Sequence, residues 1–149
     1  MPRDAHQEWQ VPYQPGQLVA KGYRNGKVVV TDTLATTGAP ARIKLSPDRT
    51  RLHADGEDAV VVPVSILDAK GRLVPNTNNR VYFHLTGDGR IMGVGNGNPS
   101  DHDSDRADQR NAFHGHCMAV VQAGSHPGAL QLTVTSPGLT SASITLQSR

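Results

Sequence analysis

Cysteine is almost absent from this chain of 149 residues, where Cys117 stands alone. A single thiol excludes an internal disulfide and any cysteine-rich zinc site. It leaves the redox compartment open, because a chain without disulfides folds anywhere. Aromatic residues are scarce at 4%, so valine, isoleucine, leucine and alanine must fill the core. Glutamate occurs only at Glu8 and Glu57. No basic run reaches five residues, and 15 Lys+Arg against 13 Asp+Glu leave a net charge of +2. That balance points to neither nucleic acid nor an anionic membrane as a partner. Long apolar runs are missing as well. The longest, residues 59–67, is broken by Pro63 and Ser65, far short of the ~20 apolar residues that span a bilayer. The opening MPRDAHQEWQ has no apolar stretch of the kind a signal peptide needs, so none is expected in it.

Helical periodicity is missing too. No window of a dozen residues carries apolar positions at i, i+3, i+4, i+7 free of Gly, Pro or a β-branched run. Short alternating runs take its place. Trp9, Val11 and Tyr13 alternate, and QLVAKGYR and KVVVTDTL flank Asn25-Gly26, the signature of a type I′ hairpin. Residues 8–34 therefore read as one strand followed by a hairpin. The stretch TTGAPA, residues 36–41, reads as a linker, with Pro40 holding it extended. Beyond it Ile43 and Leu45 share a face, as do Val60, Val62, Val64 and Ile66, and again Val81, Phe83 and Leu85. Pro63 lacks an N–H, which predicts an edge or a bulge at that point. Residues 119–122, 130–135 and 143–146 extend the series. About seven strands after residue 40, with turn signals every 8–12 residues, predict an antiparallel β-sandwich. Residues 86–112, rich in Gly, Asn, Asp and Ser, read as one long functional or mobile loop.

Several stretches carry a family likeness. EWQVPYQPGQLVAKGYRNGKVVVTDTLATTGAPARIKLSPDR resembles the junction after the catalytic barrel in bacterial glycoside hydrolase family 2 β-galactosidases that bear extra immunoglobulin-like modules. LHADGEDAVVVPVSILDAKGRLVP is similar to the opening of a bacterial Ig-like module, and GVGNGNPSDHD and RNAFHGHCMAVVQA to the last module of these enzymes. The resemblance implies an all-β, immunoglobulin-like sandwich. Residues 1–38 would be the terminal strands of a truncated module, and residues 39–149 a complete final one. It implies a non-catalytic C-terminal accessory segment of a β-galactosidase, whose partners are the parent's barrel and neighbouring Ig-like modules. The parent would be bacterial, and periplasmic or secreted. A carbohydrate-binding module that holds its parent on polysaccharide, and an Ig-like adhesion module, are the alternatives. Self-association through the truncated module is a further expectation.

Family 2 enzymes are retaining glycosidases, which need two carboxyls about 5–5.5 Å apart. Neither Glu8 nor Glu57 sits in a motif like the family's catalytic ones, so no catalytic residue is assigned. Asp101, Asp103 and Asp105 open like an EF-hand loop, but Arg106 and Ala112 occupy the positions that need Gly and Glu. An irregular calcium site using Asp101, Asp103, Asp105 or Asp108 is the alternative to an acidic loop balanced by Arg106 and Arg110. On a strand, His114 and His116 would share a face beside Cys117, with His102 in reach as a further ligand. The plainer reading is two exposed histidines and a buried thiol. Gly93-Val94-Gly95-Asn96-Gly97 lacks the final glycine and the helix of a dinucleotide loop. Trp9, Tyr13, Tyr23 and Tyr82 could stack on sugars or serve as packing anchors. No metal, cofactor-binding or catalytic residue and no cofactor is expected.

Overall fold

A computed structural model describes residues 8–149. Most of the decapeptide read for a leader therefore lies outside the described residues. The chain separates into two compact units, the first ending at Thr36 and the second running Thr37–Arg149.

The first unit is a hairpin. β1 (Gln17–Arg24) pairs antiparallel with β2 (Lys27–Ala35) through Asn25 and Gly26, at φ 50° and 74°. Both central residues thus take the positive φ of a type I′ turn. Gly22 faces Val30, and a Cβ there would lie 2.5 Å from the valine's Cγ1, so any larger residue would have to displace that side chain. The hairpin closes where the Thr36 N–H donates to Gly16 O at 2.8 Å. The alternating stretch around Trp9, Val11 and Tyr13 forms no strand, contrary to its pattern. Pro12 and Pro15 remove two ladder donors, and no strand pairs with this stretch among the described residues. Trp9 is 70% exposed and Tyr13 79%.

The second unit is a two-layer sandwich of nine strands. One sheet runs in the order β3 (Pro40–Leu45), β5 (Ala59–Asp68), β9 (His116–Ala123), β7 (Gly89–Gly95). The other runs β4 (Arg51–Leu52), β11 (Ala142–Ser148), β10 (Gly128–Thr135), β6 (Arg80–Thr86), β8 (Gln109–Asn111). All neighbours are antiparallel except β4 and β11. The layout reproduces the ABED and GFC sheets of a constant-type immunoglobulin domain. β4 is added parallel to the last strand, and β8 lies beyond the third.

The core is aliphatic, as the shortage of aromatics requires. Val62, Val64, Ile66, Ala119 and Val121 from one sheet meet Val81, Leu132, Val134 and Leu146 from the other, all fully buried. Each large member adds about 1.5–3 kcal/mol by leaving water. Phe83 is the one aromatic among them.

Three strands were hidden in the sequence. β4 is too short to show a period. β7 and β8 lie inside the stretch read as a single long loop, which leaves only residues 96–108 as loop proper. β7 reads GRIMGVG, and glycine is depleted in strands. Its glycines serve close packing instead. A Cβ on Gly89 would lie 2.1 Å from Leu130 Cδ2 and 2.6 Å from Gln122 O. No bulge is recorded in β5 at Pro63. β5 is an inner strand rather than an edge, and Pro63 sits just past the last β3 pair, Leu45–Val64, where its O accepts the Ser46 N–H at 3.1 Å and its missing N–H costs the ladder least.

Candidate functional site

One end of the sandwich gathers most of the residues singled out from the sequence. It is built by the β5–β6, β7–β8 and β8–β9 connections, which in immunoglobulin terms are the loops after the second and fourth strands. Arg110 on β8 anchors them. It is buried, and its guanidinium donates to Asp103 O at 2.8 Å and to Val94 O at 3.4 Å. It also pairs with Asp101 Oδ1 at 3.5 Å and with Asp105. Its Nε has no partner among the described residues. Arg80 on β6 pairs with Asp103 and donates to Asn111 Oδ1 at 3.3 Å.

These cations consume the acidic run. Asp101 Oδ1 accepts the Asp103 N–H at 2.9 Å, and Oδ2 accepts Asn96 Nδ2 at 2.6 Å. The Asp103 N–H, then the Asn96 amide and the Arg110 and Arg80 charges, hold this carboxyl below its ordinary range despite desolvation. The balancing arginines are thus Arg80 and Arg110, and the expected partner Arg106 is exposed. Among the described residues no group of three or more His, Cys, Asp or Glu is placed to hold a metal ion.

The histidines do not share a strand face. His114 and Gly115, at φ 50° and 78°, form a tight turn closed by the Phe113–His116 bridge, and β9 starts only at His116. The His114 ring packs edge-on to Phe113 with centroids 4.2 Å apart, and Nδ1 lies 3.2 Å from Pro75 O. His116 Nδ1 lies 3.2 Å from Ser65 Oγ. Cys117 points into the core, and burial pushes its thiol up to about 12. His102 and His114 both line one cleft.

That cleft has a volume of about 530 Å³. Five asparagines contribute to its lining: Asn76 and Asn78 of the β5–β6 loop, Asn96 and Asn98 of the β7–β8 loop, and Asn111 of β8. Phe113 and His114 close one side. Asn96 organises the floor. Its amide also donates to Asn111 O at 3.0 Å, and its Oδ1 accepts the Asn98 N–H at 2.9 Å. The sequence reading missed these asparagines. The run PNTNN was the available signal, but asparagine-rich runs mark turns so generally that it pointed to nothing more.

Other candidates stay apart. Tyr23, 63% exposed, lies on the hairpin, whereas Tyr82 lies on the outer face of the five-stranded sheet. Gly93 and Gly95 belong to β7, and no helix follows them.

Comparison with known proteins places this arrangement. The family model "Glycoside hydrolase family 2 C-terminal domain 5" matches residues 43–145, and a domain of unknown function, DUF4982, matches residues 1–30. The β-galactosidase BoGH2A of Bacteroides ovatus is 43% identical over 134 residues, covering 90% of this chain. The chain spans only 16% of that protein's length. A β-galactosidase sequence from Rhizobium radiobacter is 32% identical over 129 residues, which cover 86% of this chain and 82% of the relative. A glycosyl hydrolase family 2 member from Bacteroides cellulosilyticus superposes with a TM-score of 0.90 at 37% identity, over 95% of this chain and 18% of that one.

Proposed function

Because the chain belongs to the glycoside hydrolase family 2 C-terminal domain 5 family, we propose that it is a non-catalytic accessory segment of a longer bacterial β-galactosidase. The observation that carries this reading is the match of residues 43–145 to a C-terminal family model, in relatives of which the chain spans 16% and 18%. The chemistry agrees. Retaining hydrolysis needs a carboxylate nucleophile and a carboxylic acid, the acid with its pKa raised. Glu8 and Glu57 lie in separate units, and Glu57 is exposed in a turn. The shifted carboxyls, Asp55, Asp58, Asp68, Asp88 and Asp101, all move down, toward permanent ionisation. Such groups stabilise loops and make poor general acids.

Residues 1–38 serve in this reading as the closing strands of a preceding Ig-like module, and residues 39–149 as the final module. The parent's barrel and neighbouring modules are the partners, and the hairpin's bare apolar residues are where a second copy of the isolated chain would bind. Purified chain, free of host enzyme, should give no turnover of a chromogenic β-galactoside, and measurable turnover overturns the reading. The coding sequence upstream of residue 1 supplies a second test. A barrel with paired glutamates is expected there, and tandem Ig-like repeats would favour an adhesin.

A further inference from the structure

We propose that the amide-lined cleft between the β5–β6, β7–β8 and β8–β9 loops binds a neutral saccharide. The position suits a ligand site. End loops carried on a rigid sandwich are where immunoglobulin-type domains place recognition, and about 530 Å³ accommodates one or two sugar rings.

The lining selects the ligand class. An asparagine side chain offers an NH₂ donor and a carbonyl acceptor side by side. A vicinal diol offers the complementary pair, because each hydroxyl both donates and accepts. Asn76 and Asn78 are exposed at the cleft, and Asn98 lines it from the β7–β8 loop. Phe113, with His114 packed against it, supplies an apolar side for the C–H face of a sugar ring. Among the described residues no lysine or arginine lines the cleft. Arg110 and Arg80 are committed to Asp101, Asp105 and Asp103, so a phosphate or carboxylate finds no free guanidinium. The carboxylate of Asp101 is occupied by Asn96 and the Asp103 N–H, so a cation finds no vacant ligand there.

The cleft is also preorganised. Asn96 ties Asp101 to Asn111 O. Asn98 Oδ1 accepts the Ser100 N–H at 3.0 Å. His114 holds a positive φ that non-glycine residues rarely adopt, and such outliers concentrate at binding sites. A site with its polar groups already oriented loses less entropy when ligand enters. This site is distinct from the scattered surface aromatics Trp9, Tyr13, Tyr23 and Tyr82. Only the choice of saccharide over another neutral polyol rests on the glycosidase reading.

Amide-detected NMR titration of the intact chain with galacto-oligosaccharides tests the proposal, with a uronic-acid oligosaccharide as the charged arm. The expected result is saturable shifts confined to residues 75–78, 96–102 and 111–114, with the neutral ligand preferred. The double variant Asn76→Ala/Asn78→Ala should weaken binding about tenfold at an unchanged melting temperature. No shifts with either ligand, shifts mapping to the hairpin around Trp9 and Tyr13, or preference for the uronic acid would each overturn it. Failure of the accessory reading shows separately, as turnover by the purified chain or as tandem repeats upstream, and neither result alters the shift map.

Discussion

Asp68 shows how much one side chain can organise. The residue is 1% exposed, and its carboxylate accepts the N–H groups of Gly38, Lys70 and Arg72, each at 2.9 Å, and the Arg72 guanidinium at 2.8 Å. It therefore fixes both the segment that enters β3 and the turn that leaves β5. The Gly38 N–H, followed by the Arg72 N–H and guanidinium, outweighs desolvation and holds the acid well below the usual carboxylate range. The sign follows from linkage. A depressed pKa in the folded state contributes stability that is complete above the unfolded value, about 3.9, and is lost as pH falls through the folded one. Urea unfolding followed from pH 7 to pH 2 should show stability falling below about pH 4, with a shallower slope and lower neutral stability for Asp68→Asn. An unchanged acid slope would remove Asp68 from that role. Cys117 makes a simpler case. At about 12 its thiol is almost wholly protonated at neutral pH, and it is 4% exposed. Thiolate is the reactive species, so a disulfide reagent at pH 8 should leave the native chain unmodified and titrate one thiol after unfolding.

At the scale of elements, the two tight turns explain why some structure was legible in the sequence and some was not. Asn25-Gly26 is recognisable because both residues tolerate positive φ and alternating strands flank them. His114-Gly115 has the same backbone but a histidine in the first place, so nothing in Phe113-His114-Gly115-His116 marks a turn, and the shared histidine face followed only if the stretch were a strand. The core strands were legible because each buries one alternating face against the other sheet. The glycines of β7 erased that alternation, and β8 is too short to show it. The cleft was legible least of all, since it is made by three loops distant in sequence, held by the buried Arg110. At the turn itself Gly115→Ala should cost more than about 1 kcal/mol, because its φ is 78° and the new Cβ would lie 2.5 Å from Val74 O. His114→Gly should be near neutral in stability. Thermal denaturation of both variants checks the contrast. Arg110→Met should cost about 1.5–3 kcal/mol through lost charged hydrogen bonds, whereas chelator should leave the wild-type melting temperature unchanged. A chelator-induced drop above about 5 °C, on the order of 1 kcal/mol for a domain this size, would show that the aspartates bind an ion.

For the whole molecule, the contrast between the two units decides how the isolated chain behaves. The sandwich closes a continuous aliphatic core. The hairpin closes none, with Leu18 51%, Val28 50%, Val30 61% and Leu34 68% exposed. Leu18 lies directly opposite Leu34, so apolar side chains pair across the hairpin without a layer to cover them. Two strands alone are marginal in water, and paired apolar residues beside unfilled strand edges attract further strands. In the accessory reading, upstream strands of the parent supply that layer. In the isolated chain a second copy is the available substitute. Light scattering should then show concentration-dependent dimerisation of the intact chain, and a chain beginning at Ala41 should stay monomeric. Deuterium exchange should show residues 17–35 protected in the dimer and losing protection on dilution. Monomers throughout, with those residues unprotected, would mean that the hairpin recruits no second copy to cover its apolar face.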